Sequence, residues 1–152
     1  MSAAGGRPLV EVLNGVNLDQ LGNRDPALYG ALTLAELEAM AEQEGNALGL
    51  EVRCFHTNHE GAYVERLHAA RGAAAGLVLN PGAWTHYSWA IRDALEIAAL
   101  PAVEVHLSDP TRREQWRHVS VLEGLCFAAV RGRGPEGYRE ALARLRERLE
   151  EL

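Results

Sequence analysis

Five short, strongly apolar runs, at 9–13, 50–55, 77–79, 102–107 and 125–130, alternate with stretches that carry helix signals. Runs this apolar suit strands covered on both faces, and strands alternating with helices at this spacing build βαβ units. The chain is therefore expected to be an α/β protein: a flavodoxin-like doubly wound five-stranded parallel sheet, order 2-1-3-4-5, with helices on both faces. At 152 residues it can bury one full core and is too short to suggest two, so residues 1–152 are read as a single domain.

Local signals place the helices. Thr33 and Glu36 form a capping box that opens a helix running to about residue 48, where Gly49 closes it. Further helices are expected at 62–71 and 87–99, and Pro135 opens an amphipathic C-terminal helix over 135–152. Residues 1–6 lack the charge and apolar core of a signal peptide, residues 1–7 are expected to be a disordered end, and no apolar run reaches membrane-spanning length.

Composition narrows the chemistry. The net charge of −6 gives no overall field for nucleic acid or an anionic membrane, so an anionic ligand must be held by local groups. All 15 basic residues are arginine, which excludes lysine Schiff-base catalysis, pyridoxal phosphate anchoring and a Walker-type phosphate loop. Cys54 and Cys126 sit in apolar runs without a CxxC spacing, so buried free thiols and a reducing cytoplasm are expected.

In such sheets ligands bind beyond the carboxyl ends of the strands, where strand order reverses. The polar stretches after strands 1, 3 and 4 would converge there: an active-site loop over 15–32, then 80–86, then 108–117. A loop as long as the first is usually functional, because ordering it costs conformational entropy. Glu104, His106 and Ser108 fall at i, i+2 and i+4 and share one face of strand 4. A glutamate there favours the imidazolium and fixes its ring, preparing it to donate a proton. A charged pair stabilising an edge strand is the competing reading, but burying both groups in an apolar strand without a purpose would be costly.

The blocks Asn14-Gly-Val-Asn17, Arg24-Asp-Pro-Ala-Leu-Tyr29-Gly, Asn58-His-Glu-Gly61, Asn80-Pro-Gly-Ala-Trp-Thr-His86, Arg92-Asp93-Ala, Glu104-Val-His-Leu-Ser108, Arg113-Glu-Gln-Trp-Arg117 and Gly137-Tyr138 lie in order along the chain. Together they resemble type II 3-dehydroquinate dehydratase over about residues 9–145. The resemblance implies a hydro-lyase of the shikimate pathway, leading to chorismate and the aromatic amino acids. It would convert 3-dehydroquinate to 3-dehydroshikimate by anti elimination through an enolate, without metal, cofactor or Schiff base.

The same resemblance implies the roles. Tyr29 is the base, with Arg24 and Arg113 supplying the positive charge that a phenolate needs near neutral pH. Asn17 holds a water against the enolate oxygen, and His106, oriented by Glu104, protonates the departing hydroxyl. Asn80, Ser108 and the backbone amide of Leu107 clamp the substrate carboxylate, while His86 and Arg117 grip ring hydroxyls. Asp93 is the position by which a neighbouring subunit reaches the site in a dodecamer built as a tetramer of trimers.

Three departures stand out. Val16 replaces the family's usual proline, Asp109 replaces its usual asparagine, and Pro110-Thr111-Arg112 differs from the common run. Asp109 is expected to weaken binding of an anion unless Arg112 or Arg113 offsets it. Trp84, Tyr87 and Trp89 read as core or subunit packing. Competing readings are a metal set of His56, His59 and Glu60, a flavodoxin-like ligand-binding module, and a non-catalytic scaffold.

Overall fold

The computed structural model describes residues 6–152. Strands β1 (Leu9–Asn14), β2 (Glu51–His56), β3 (Gly76–Asn80), β4 (Ala102–His106) and β5 (Ala128–Arg131) form one parallel sheet of order β2-β1-β3-β4-β5. The helices are α1 (Pro26–Tyr29), α2 (Leu34–Ala47), α3 (Glu60–Ala70), α4 (Trp89–Ala98) and α5 (Glu136–Glu150). The central strands β1, β3 and β4 are buried along their whole length, as the apolar runs require.

Side chains alternate between two cores. Leu13, Leu77 and Leu79 pack with Tyr63 and Leu67 of α3 and Ile91 and Leu95 of α4. Val10, Val12, Val78 and Val103 pack with Leu37 of α2 and Leu142 and Leu145 of α5. The period-2 geometry of each strand thus sends alternate residues to opposite helical layers. Within the register, Asn14 lies beside both His56 and Asn80, so the β1 and β3 loops leave the sheet together.

The capping box is present: Thr33 Oγ1 accepts from the Glu36 amide at 3.3 Å, and Glu36 Oε1 accepts from the Thr33 amide at 3.0 Å. Gly49, at φ 75°, follows the end of α2. Several boundaries differ from the sequence expectation. The long first loop carries a 3-10 turn at Leu18–Gln20 and the short helix α1. Helix α3 starts at Glu60 rather than 62, and α4 starts at Trp89 because the Ser88 hydroxyl caps it, accepting from Ile91 N at 3.0 Å.

Strand β5 starts at Ala128 rather than 125. Leu125 and Cys126 are apolar because they pack on the α3/α4 core from a turn, not because they extend the sheet. Of the N-terminal residues expected to be disordered, 1–5 lie outside the described residues, whereas Arg7 donates to Asn46 Oδ1 at 2.8 Å. Both cysteines are free and partly buried, and burial pushes each thiol up to about 12. Among the described residues no helix is long and apolar enough to cross a membrane.

Candidate active site

Two glycines let the β1 and β3 loops touch. Gly15 N donates to Asn80 O at 2.8 Å, and a Cβ on Gly15 would strike the Pro81 carbonyl. Gly82, at φ +66°, would place a Cβ 2.6 Å from Val16 O. Next to this junction Asn17 adopts the left-handed region at φ 70°, which asparagine tolerates better than most residues. Its amide donates to Asn58 Oδ1 at 2.8 Å, and Asn58 Nδ2 donates to Asp19 Oδ2 at 3.0 Å. The 56–61 turn therefore supports the first loop. Among the described residues no group of three or more His, Cys, Asp or Glu side chains is placed to hold a metal ion.

Beyond the carboxyl ends of β1, β3 and β4 lies a cavity of about 260 Å³, with Asn17, Arg24, Tyr29, Asn80, His86, His106, Leu107, Ser108, Arg113 and Arg117 in its wall. On one side Arg24 Nη2 donates to Tyr29 Oη at 2.7 Å, and the guanidinium carbon lies 3.8 Å from the ring centroid. Arg113 stands 5.1 Å from the same centroid and donates to Ser108 Oγ at 3.2 Å. Asp25 caps α1, accepting from Ala27 N at 3.0 Å, and so fixes the helical turn that carries Tyr29.

His106 and Glu104 form the opposite functional pair. His106 Nε2 is 2.6 Å from Glu104 Oε2, and the carboxylate is only 1% exposed. Thr85 Oγ1 also donates to Glu104 Oε2, and Ser120 Oγ donates to Oε1 at 2.8 Å. The Leu122 amide donates to Ser120 Oγ at 3.1 Å, which turns the serine proton toward Glu104. Burial opposes ionisation of Glu104, but the hydrogen bond and charge of His106 with the two hydroxyls outweigh it. They hold the carboxyl below the ordinary glutamate range.

His86 lies against the same wall, its ring stacked 6.4 Å from that of His106 and edge-on to Trp116 at 5.4 Å. Its Nδ1 is 2.8 Å from Val119 O, so Nδ1 carries the proton and Nε2 is left for the cavity. Burial pushes this imidazole below its ordinary value, opposed by the Val119 hydrogen bond and helped by the charges of His106 and Arg117. Arg117 stacks 4.0 Å over Trp116 and donates to Glu114 Oε1 at 3.1 Å.

Glu104 stands behind His106 rather than in the wall, and Asp93 is exposed on α4, outside the cavity. Arg92 does not pair with Asp93; its guanidinium donates to Val121 O and, at 3.0 Å, to Glu123 O. Asp109 is not in the wall of this cavity. Its carboxylate accepts from Thr111 N at 3.0 Å and Thr111 Oγ1 at 2.6 Å, and these bonds, with Arg112 and Arg131 nearby, hold it below the usual carboxylate range. The carboxylate whose charge is expected to weaken anion binding is thus bonded to Thr111 and is not in the cavity wall. Trp84 is buried edge-on against Tyr63 at 5.7 Å, whereas Tyr87 and Trp89 are exposed.

Sequence reasoning missed Thr85 and Ser120 as partners of Glu104, Trp116 as the neighbour of His86, and the apolar wall of Leu18, Leu21, Ala83 and Pro110. Thr85 and Ser120 lie 19 and 16 positions from Glu104, and no local spacing links them.

A doubly wound sheet whose switch-point cavity sets a tyrosine between arginines and a histidine on a buried carboxylate offers the groups of acid–base chemistry on an α/β scaffold. The comparisons narrow that class. The family model Dehydroquinase class II matches residues 8–146. The chain is 50% identical over 145 residues to 3-dehydroquinate dehydratase 2 of Pseudomonas putida, covering 95% of this chain and 97% of that protein. It is 48% identical over 142 residues to 3-dehydroquinate dehydratase of Bacillus cereus, covering 93% and 97%. The crystal structure of type II dehydroquinase from Butyrivibrio crossotus superposes with a TM-score of 0.89 at 39% identity, covering 93% of this chain and 99% of that one. The chain belongs to the class II dehydroquinase family.

Proposed function

We propose that this protein is a 3-dehydroquinate dehydratase in which Tyr29 is the base and His106 the general acid. The observation that carries the reading is a single cavity lined by Arg24 and Tyr29, in contact at 2.7 Å, and by His106, which Glu104 holds from behind at 2.6 Å, in a chain of this family.

Tyr29 Oη, as phenolate, takes the proton from the carbon alpha to the ketone, and the C–H electron pair moves to form an enolate. Arg24 and Arg113 favour the phenolate by charge. Asn17 holds a water against the enolate oxygen, so that negative charge develops facing a prepared donor. The enolate then collapses, a carbon–carbon double bond forms, and the carbon–oxygen bond to the leaving hydroxyl breaks as His106 delivers its proton. Water and 3-dehydroshikimate result. The Glu104 carboxylate stabilises the imidazolium before transfer and orients the ring.

Asn80, Ser108 and the Leu107 amide bind the substrate carboxylate, and His86 and Arg117 bind ring hydroxyls. The working form is a dodecamer of four trimers in the cytoplasm, with Asp93 reaching a neighbouring site. Exposed Tyr87 and Trp89, six and four positions before Asp93, supply an apolar contact surface.

The decisive experiment is a continuous ultraviolet assay with 3-dehydroquinate after chelator treatment. Appearance of the conjugated enone at an unchanged rate supports a dehydratase that needs no metal. A folded, oligomeric protein with no turnover would refute the reading.

A further inference from the structure

The Gly137-Tyr138 pair of α5 takes no part in the chemistry above, yet Tyr138 is 1% exposed with its hydroxyl set between two asparagines. Asn14 and Asn80 end β1 and β3 side by side in the sheet and both turn toward the α2/α5 layer. Asn80 Nδ2 donates to Tyr138 Oη at 2.9 Å, and Tyr138 Oη donates to Asn14 Oδ1 at 2.7 Å. Asn14 Nδ2 donates in turn to Glu38 Oε2 of α2 at 3.2 Å.

The direction of this chain is fixed at both ends. At the cavity end the Gly82 amide, which can only donate, reaches Asn80 Oδ1 at 3.2 Å. At the far end the Glu38 carboxylate, when ionised, can only accept. Each amide between them therefore has one orientation that satisfies all partners, and a reversed amide would leave a buried group unpaired at real cost. In this orientation Asn80 spends Oδ1 on Gly82 and one N–H on Tyr138, keeping its second N–H for the cavity that it lines. A reversed Asn80 would present Oδ1, an acceptor, to whatever binds there.

We propose that Tyr138 is a positioning residue for anion recognition: its hydroxyl, backed by Asn14 and Glu38, locks the Asn80 amide with N–H rather than oxygen toward the substrate carboxylate. The inference rests on the reading above that Asn80 meets that carboxylate. It adds that selectivity for a carboxylate is built from a relay that starts at the partly buried Glu38 of α2, outside the cavity.

The test compares turnover of 3-dehydroquinate with turnover of its methyl ester, which keeps the ring but cannot offer an anion. In Tyr138→Phe, KM for the acid should rise about tenfold, the scale of one hydrogen bond to a charged group, while kcat and KM for the ester stay nearly unchanged. Glu38→Leu, which removes the terminal acceptor, should move the same way by a smaller factor. Glu38→Gln, whose amide oxygen can still accept, should behave as wild type.

Parallel rises for acid and ester, or no rise in either variant, would overturn the proposal, since a purely structural role does not distinguish the two ligands. Should Tyr138→Phe not fold, the Glu38→Leu and Glu38→Gln comparison decides alone. A wild-type protein that turns over neither compound would instead refute the dehydratase reading and this inference with it. Wild-type turnover with unselective variants would refute only the inference.

Discussion

Arg24 meets Tyr29 twice, through a 2.7 Å hydrogen bond to the phenol oxygen and through a guanidinium stacked 3.8 Å from the ring centroid. One contact acts on the oxygen and the other on the ring, so the arginine both favours negative charge at Oη and holds the ring in place. Because both residues sit on the loop between β1 and α2, the proposed base is assembled within six residues of sequence. The proposed acid, His106 on Glu104, draws its partners from three distant segments.

That difference separates the two halves of the mechanism experimentally. Tyr29→Phe is expected to lower kcat by about 100-fold or more, the usual scale of general-base catalysis, with KM and oligomeric state close to wild type. Steady-state kinetics with size-exclusion chromatography checks it, and a variant keeping most of its kcat would refute the assignment of the base.

Arg24→Gln removes both the charge and the guanidinium that contacts Tyr29 Oη and its ring. Turnover should fall by about 10-fold or more, the scale of one hydrogen bond to a charged group, with oligomeric state unchanged. Steady-state kinetics reads this directly, and a variant with wild-type kcat would contradict it.

The Glu104 site makes a prediction about stability as well as rate. Its folded pKa is lowered, so its contribution to stability is full above the ordinary glutamate value of 4.5 and is lost as pH falls below it through the folded value. Glu104→Gln should therefore be less stable than wild type at neutral pH, and the gap should narrow in acid. Thermal unfolding from pH 7 to about pH 3 tests this, and a gap that widens in acid would show the sign to be wrong. The same variant should lower kcat by about 100-fold, because an amide cannot stabilise the imidazolium as a carboxylate does.

Thr85→Val keeps the shape of the side chain while deleting the hydroxyl that donates to Glu104 Oε2. It should cost about 1–3 kcal/mol of stability and move the acid limb of the pH–rate profile to higher pH, since one bond that favoured the carboxylate is gone. Thr85→Ser should restore both. If Thr85→Val lost stability while its pH profile stayed in place, the threonine would be a packing residue only.

The sequence made some of these relationships legible and hid others for a physical reason. Strand order and the convergence of three polar loops follow from alternation of apolar runs, a local property that survives in the finished sheet. The Glu104–His106 pair was legible because period-2 geometry puts i and i+2 on one face. Thr85, Ser120 and Tyr138 were not, because their partners lie across the fold and nothing in their local sequence marks a hydroxyl as a donor to a distant buried group. Strand β5 was misplaced for a related reason: the apolar character of Leu125 and Cys126 reports burial, and a buried turn gives the same signal as a strand.

Asp109 is a position where residue type and local bonding point in different directions. Written beside a site for an anion it suggests repulsion, but both of its bonds go to Thr111, and it caps the 3-10 turn Pro110–Arg112 from outside the cavity. Asp109→Asn should therefore leave KM for 3-dehydroquinate within about twofold of wild type, because an asparagine caps a helix start nearly as well as an aspartate. Asp109→Ala removes the cap and should cost about 1 kcal/mol. Since the turn precedes Arg113, which donates to Ser108 and stands 5.1 Å from the Tyr29 ring, loosening it should also lower kcat. Kinetics and thermal unfolding on the two variants decide the point: a marked fall in KM for Asp109→Asn would mean that the charge does reach the substrate, and that its commitment to Thr111 does not hold during turnover.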